Sequence, residues 1–229
     1  MSLLLNIETS TTNCSVALSK NGKLVALKED DNAGYSHAEN LHVFIDQLIK
    51  DNNYSLEDLD AVVVSKGPGS YTGLRIGVST AKGLCYALDI PLIAVNTLNS
   101  LALSYKSDKT CFIVPMLDAR RMEVYTATYN ENHEEQSATK ALVLEENSFL
   151  ENLNAQQTVF IGNGVNKFSE VCKHQNAVFI NQTPSAKDVC KHAFDKYNNK
   201  DFEDVAYFEP YYLKDFVVTQ KKKKQLPSS

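Results

Sequence analysis

Asp60-Ala-Val-Val-Val-Ser-Lys-Gly-Pro-Gly-Ser-Tyr-Thr-Gly-Leu-Arg-Ile-Gly77 decides how this chain folds. Residues 60–65 form an apolar, β-branched run of the kind buried in a sheet. The glycine-rich loop 66–70 then leads into a helix predicted from about Gly73 to Leu88. A strand feeding a helix through such a loop is the unit of an α/β sheet. The loop can also bind an anion, through free N–H groups and the helix dipole. It lacks the lysine and spacing of a Walker loop. Gly73, Gly77 and Ala81 recur every fourth residue, which gives the helix a face of small residues. A glycine inside a helix costs about 1 kcal/mol against alanine, so these imply close backbone packing, within the chain or against a partner.

Upstream of this stretch, Leu3–Glu8 is an apolar run, Cys14–Ser19 alternates, and Lys23–Lys28 follows the Asn21-Gly22 turn, a strong hairpin signal. A helix should begin near Ser36, where Ser36-His-Ala-Glu39 has the capping-box pattern. Behind it, Ala38, Leu41, Ile45, Leu48 and Ile49 fall at helical spacing. Ile90–Val95 is a further strand. This β-β-β-α-β-α order predicts an α/β fold with mixed sheets flanked by helices. In the second half, Cys111–Leu117 and Glu123–Tyr129 read as strands around Asp118-Ala-Arg-Arg121. Thr158–Ile161 is a strand before Gly162-Asn-Gly164, and helices are expected at 165–174 and 185–197. The predicted organisation is an N-terminal lobe (1–100), a C-terminal lobe (101–214) and a basic, disordered tail (215–229), with a duplicated lobe plan as the one candidate repeat.

The 229 residues carry 23 Lys+Arg and 28 Asp+Glu, and 43% are hydrophobic. Without residues 214–229 the body holds 18 basic and 27 acidic groups. Such a body is a poor independent nucleic-acid binder, so RNA would be held mostly by another subunit. No apolar run approaches a membrane span of about 18 residues. The start has no basic residue before its short apolar stretch and does not read as a signal peptide. Five scattered cysteines without a CxxC pair fit reduced thiols in the cytoplasm.

Chemistry-bearing constellations are sparse. Glu8-Thr9-Ser10-Thr11-Thr12 joins two strands and can present hydroxyls and N–H groups to a phosphate. With Gly67, Gly69 and Ser70 it is the candidate nucleotide or anion site, set against a plain hydroxyl-rich turn. His37 and His42 lie five apart, on different sides of a helix, and are poor joint metal ligands. The Lys221–Lys224 run reads first as a solvated tail and second as an RNA contact.

Ile7-Glu-Thr-Ser10, Cys14-Ser-Val-Ala-Leu18, Gly67–Gly77, Asp118-Ala-Arg120 with Glu123-Val-Tyr125, and Pro210-Tyr-Tyr-Leu-Lys214 together resemble the TsaB (YeaZ) family, over residues 3 to about 214. The resemblance implies a two-lobed fold like actin, Hsp70 and the sugar kinases (ASKHA). It also implies a role in making N6-threonylcarbamoyladenosine next to the anticodon of tRNAs that read codons starting with A. The family's TsaB is a partner of the catalytic TsaD and of the ATPase TsaE, and is not itself catalytic. TsaD proteins hold a metal through an HxxxH pair; here His37 is followed at the fourth position by Leu41. The resemblance further implies that the helices at 36–50 and 73–88 meet TsaD, or a second copy in a homodimer. Leu41, Phe44, Ile45, Leu48, Gly73, Gly77 and Ala81 are the expected interface. No cofactor is required; weak ATP or ADP binding at the lobe or subunit interface is the residual expectation. The rival readings are an ASKHA-type phosphotransferase or ATPase and a glycoprotease-like peptidase. Tyr71 stands where phenylalanine is commoner in the family, and the tail from Phe216 is an unexplained extension.

Overall fold

A computed structural model describes residues 1–31 and 37–214. The Ser36 cap and the basic tail fall outside the described residues. Two five-stranded sheets are present, in the orders β3-β2-β1-β4-β5 and β10-β9-β6-β7-β8. The first is built from β1 (Leu3–Glu8), β2 (Cys14–Lys20), β3 (Lys23–Asp30), β4 (Ala61–Gly67) and β5 (Leu92–Asn96). Helices α1 (His37–Asp51) and α2 (Tyr71–Leu88) connect β3 to β4 and β4 to β5. The second sheet repeats the plan with β6 (Phe112–Asp118), β7 (Glu123–Asn130), β8 (Glu135–Val143), β9 (Thr158–Ile161) and β10 (Ala177–Ile180). Its helices are α4 (Leu150–Ala155) and α5 (Val165–Val171). In each lobe the central strand pairs antiparallel with the next strand and parallel with the fourth. The chain is therefore a duplicated unit.

Burial on both faces explains why the central strands read as unbroken apolar runs. Along β1, Leu3, Leu5 and Ile7 face the core under α1 and α2. Leu4 points to the opposite face, against Val189 and Ala193. In the second lobe, Ile113 and Leu117 of β6 pack with α3 (Thr97–Leu103), while Val114 and Met116 pack with α4 and α5. A knot of Phe149, Phe160, Phe168 and Phe179 fills that second face, with ring centroids 4.9–5.9 Å apart.

The lobe boundaries differ from the expected 1–100 and 101–214. α6 (Cys190–Asn198) follows the second sheet but covers the first, because Val189 and Ala193 bury against Leu4, Val63 and Ile93. Residues 203–214 also return to the first lobe: the Glu203 N–H donates to the Leu92 carbonyl at 2.9 Å and the Tyr211 N–H to the Lys66 carbonyl at 2.7 Å. The C-terminal thirty described residues thus belong with the N-terminal sheet.

Candidate functional site

Both predicted loops lie at the C-terminal ends of adjacent parallel strands, β1 and β4, where α/β sheets place ligands. Glu8 closes β1 fully buried. Its carboxylate accepts the Ser10 N–H at 2.7 Å and a short bond from the Ser65 hydroxyl. Burial pushes its pKa up, while those hydrogen bonds pull against the rise. The Thr9 hydroxyl donates to the Gly73 carbonyl at 2.8 Å. The Ser70 N–H donates to the Ser10 carbonyl at 2.6 Å. His37 Nε2 lies 2.7 Å from the Thr11 carbonyl, and burial lowers its imidazole pKa. Ser70 caps α2 by accepting the Gly73 N–H at 3.2 Å.

The glycines explain this fit. A Cβ on Gly69 would lie 2.7 Å from the Ser10 Cβ, and one on Gly73 or Gly77 would press into Thr9 closer than 3.0 Å. Gly67 has φ +112° and is overlaid by Tyr211. The small face of α2 is thus spent on the chain's own hydroxyl turn.

That finding corrects the expected interface. Gly73, Gly77 and Ala81 are buried inside the chain, as are Leu41 (0% exposed), Ile45 and Leu48 of α1. Phe44 is half-buried against the same core. An apolar stripe at helical spacing covers the sheet first, and sequence periodicity cannot say which cover it has. The outward faces carry other residues: Val43 (47% exposed), Tyr86 (86% exposed), and Gly83, around whose missing Cβ there is open space.

Between the lobes lies a cleft of about 710 Å³. Ser10, Thr11, Gly69 and Ser70 form one wall, and Asp118, Arg120 and Asn163 the facing one. Thr9 and Gly67 sit behind the first wall. All six residues of the candidate anion site are therefore brought together, but largely bonded to one another; the Ser10 hydroxyl is buried and has no partner among the described residues.

On the facing wall, Gly162-Asn-Gly164 is by sequence only a weak candidate for the second phosphate loop of a phosphotransferase, and no aspartate reads as placed for magnesium. This wall is the duplicate of the first: the β6–β7 turn corresponds to the hydroxyl turn, and Gly162-Asn-Gly164 to the Gly67–Ser70 loop. Gly162 has φ +134°, matching the positive φ of Gly67. The Gly164 N–H donates to the Met116 carbonyl at 3.0 Å, and the Asp118 N–H to Asn163 Oδ1 at 2.9 Å. Lys167 clamps the turn, reaching Asp118 Oδ1 at 2.6 Å and the carbonyls of Arg121 and Glu123. The repeat of Gly-x-Gly after β9 was the available signal.

Tyr211, Tyr212, Leu213 and Lys214, the end of the segment 203–214, roof this cleft. Tyr212 packs against Tyr71 (centroids 4.9 Å apart, rings tilted by 38°), its hydroxyl accepts from Arg75 Nε at 3.2 Å, and Lys214 pairs with Glu123 of the second lobe.

Two lobes of one duplicated plan, closed over a cleft, define an α/β protein of the actin-like (ASKHA) class. A family model described as "TsaD: tRNA N6-adenosine threonylcarbamoyltransferase" matches residues 31–221. The chain is 28% identical to "tRNA threonylcarbamoyladenosine biosynthesis protein TsaB" of Escherichia coli (strain K12), over 95% of this chain and 97% of that protein. It is 38% identical to the protein of the same name from Bacillus subtilis (strain 168) over 131 residues. That alignment spans only 55% of this chain and 54% of the relative. A solved Pseudomonas aeruginosa protein, described as having similarity to peptidase YEAZ, superposes with a TM-score of 0.81 at 28% identity, over 93% of this chain and all of that one. The chain belongs to this threonylcarbamoyltransferase family, and within it to the TsaB (YeaZ) proteins.

Proposed function

We propose that this chain serves in the formation of N6-threonylcarbamoyladenosine on tRNA, as a non-catalytic subunit that holds TsaD in its active conformation and helps to assemble the TsaE- and tRNA-binding complex. The names of its TsaB relatives support the pathway. One observation carries the non-catalytic role: the groups that a phosphotransferase would turn toward a ligand are turned toward each other. The Ser10 carbonyl holds the Ser70 N–H, the Thr9 hydroxyl holds Gly73, and His37 holds Thr11. The position four after His37, Leu41, is core. Donors already bonded at 2.6–2.8 Å would have to give up those partners before meeting a phosphate.

The partner surface in this reading is the outward side of α1 and α2, around Val43, Gly83 and Tyr86. A helix glycine with nothing of its own chain against it suits a close-packed partner, TsaD or a second copy. This chain needs no cofactor; ATP or ADP would bind weakly, at the cleft or the subunit interface. No helix among the described residues is long and apolar enough to cross a membrane, and a cytoplasmic site of action follows from the tRNA role.

Titration calorimetry with TsaD of the same organism, coupled to tRNA modification in reconstitution, tests the proposal. A stable heterodimer and modification that depends on this chain are expected. No binding, with TsaE and nucleotide present, would overturn it and bring forward the phosphotransferase reading, which the facing of Asp118 and Arg120 against Ser10 and Ser70 favours. Stoichiometric ATP hydrolysis by the isolated chain would mark that alternative. The peptidase reading would need proteolysis that survives chelation.

A further inference from the structure

The chain has three arginines against twenty lysines; Arg120 lines the cleft, Arg121 follows it in the same turn, and Arg75 touches Tyr71 and Tyr212, two rings of the cleft lining. Arg75 lies in the first turns of α2, on the first lobe; Arg120 and Arg121 occupy the β6–β7 turn of the second. Arginine is the better partner for a carboxylate, since its planar fork makes two parallel hydrogen bonds. Yet the ion pairs among the described residues all use lysine, and none uses an arginine. The acids beside the second-lobe turn are already taken, Asp118 by Lys167 and Glu123 by Lys214. Arg120 and Arg121 also hold left-handed backbone, φ 71° and 50°, which side-chain-bearing residues seldom adopt. The strain is held in place by the Asp118 carboxylate on the Arg120 N–H (2.8 Å) and by Lys167 on the Arg121 carbonyl (2.8 Å). The Arg120 and Arg121 side chains are exposed and enter no ion pair among the described residues.

Aromatic rings alternate with them. The Arg75 guanidinium lies 4.2 Å over the Tyr71 ring, and Tyr71 packs at a tilt against Tyr212. Tyr125 and Tyr211 line the same cleft. Forked cations for phosphodiester oxygens, interleaved with π-faces for unstacked bases, are how proteins hold single-stranded RNA. The closed first wall argues for a strand laid along the lip over a compact nucleotide buried between the loops.

We infer that this arginine–tyrosine lip binds an unpaired RNA segment; the inference rests on the reading of the chain as part of a tRNA-modifying assembly. The acidic body gives little general attraction for polyanions, so binding is local and strongest in the complex.

The test uses the full chain, alone and in complex with TsaD, with a fluorescein-labelled ten-nucleotide single-stranded RNA and unmodified tRNA transcript, read by anisotropy across a salt series. Arg120→Gln/Arg121→Gln should weaken binding about tenfold at low salt and flatten the slope of log Kd against log salt by about 1.4, from two lost phosphate contacts to a single strand. Arg120→Lys/Arg121→Lys should keep the slope but not the full affinity, because a point charge replaces the fork. Arg75→Gln, in the other lobe, supplies an independent variant, and far-UV melts confirm folding. Affinity and slope within twofold of the parent in both preparations would overturn the inference, as would displacement of the RNA by millimolar ADP, which would make the lip a nucleotide site. Calorimetry on the same samples separates the two failures: no complex with TsaD sinks the partner role, while the isolated-chain titration still decides the lip.

Discussion

Two glycines on one helix should respond to the same substitution with opposite signs. At Gly73 an added Cβ falls closer than 3.0 Å to the Thr9 carbonyl oxygen, a backbone atom of a turn whose next residues are held by Glu8 on the Ser10 N–H, Ser70 on the Ser10 carbonyl and His37 at the Thr11 carbonyl. Overpacking of this kind costs about 2 kcal/mol. Pushing the turn away also weakens the Thr9–Gly73 and Ser70–Ser10 hydrogen bonds, at about 1 kcal/mol each. Alanine returns about 1 kcal/mol of helix propensity, leaving Gly73→Ala destabilised by about 3 kcal/mol. For a chain of this size that is a fall in Tm of roughly 6–12 °C. At Gly83 nothing lies within 4 Å of the added Cβ, so Gly83→Ala keeps only the propensity gain and should rise by about 2–4 °C. With no tryptophan in the chain, the transitions are followed by far-UV circular dichroism, with urea melts to convert them to free energies. A Gly73→Ala variant as stable as the parent would refute the close packing of α2 on the hydroxyl turn, and with it the closed first wall.

Tyr86→Ala should leave the melt within about 0.5 kcal/mol of the parent, since the ring is exposed, while lowering affinity for TsaD at least tenfold; unchanged calorimetric affinity would remove the outer face of α2 from the interface. Deleting residues 216–229 should leave TsaD binding intact, and a large loss of reconstituted activity would show that the tail works. Burial pushes the Asp188 carboxyl up to about 6, with Glu29 and Glu8 adding to the rise and Lys187 opposing it. The folded state therefore holds this proton more tightly than the unfolded one, and stability is lost as pH rises from about 4 through 6. Asp188→Asn should gain most above pH 6 and least near pH 4, the difference reaching at most about 3 kcal/mol; a gain independent of pH in urea melts would show that the carboxyl is not shifted.

What the sequence made legible follows how completely each element is buried. Leu3–Glu8 and Thr158–Ile161 form strands with the predicted bounds, because strands covered on both faces leave continuous apolar runs. The edge strand Glu135–Val143 went unread: it is mostly exposed, and Glu135, Gln136, Ser137 and Lys140 give no apolar pattern. Ala177–Ile180, half-buried at the opposite edge, is only four residues long. The hydroxyl turn and the Gly67–Ser70 loop were readable as a pair because glycine and hydroxyl residues are tied to backbone geometry. Their bonding to each other was not, since it depends on β1 and β4 being neighbours, a tertiary fact. The arginine lip is hidden for the same reason: Arg75 and Arg120 are 45 positions apart, and only the tertiary fold sets Arg75, through Tyr71 and Tyr212, beside the cleft that Arg120 lines. The helix stripes show the opposite failure. Leu41, Ile45 and Leu48 were legible as a buried face, but nothing in their spacing told a sheet from a partner.

The duplicated plan also bears on how far the cleft can move. α3 follows the first sheet and bridges the two, packing on β4 and β5 of the first and burying Leu98 and Leu101 on β6 and β7 of the second, while α6 follows the second sheet but packs on β1 and β5 of the first. Each lobe is capped by a helix that leaves the other, and the segment 203–214 adds a third tie, from Leu92 and Lys66 across to Glu123. A phosphotransferase cleft works by closing over its substrate, which requires hinges that absorb the motion. Here rigid-body closure would have to slide two buried helix faces, Leu98 and Leu101 on one side and Val189 and Ala193 on the other, all of them nearly inaccessible to solvent. Packed faces of that kind do not deform continuously. The crossing helices therefore favour a cleft of fixed width, and a fixed cleft with a pre-set lip suits a subunit that presents a surface to a catalytic partner better than one that encloses a substrate itself.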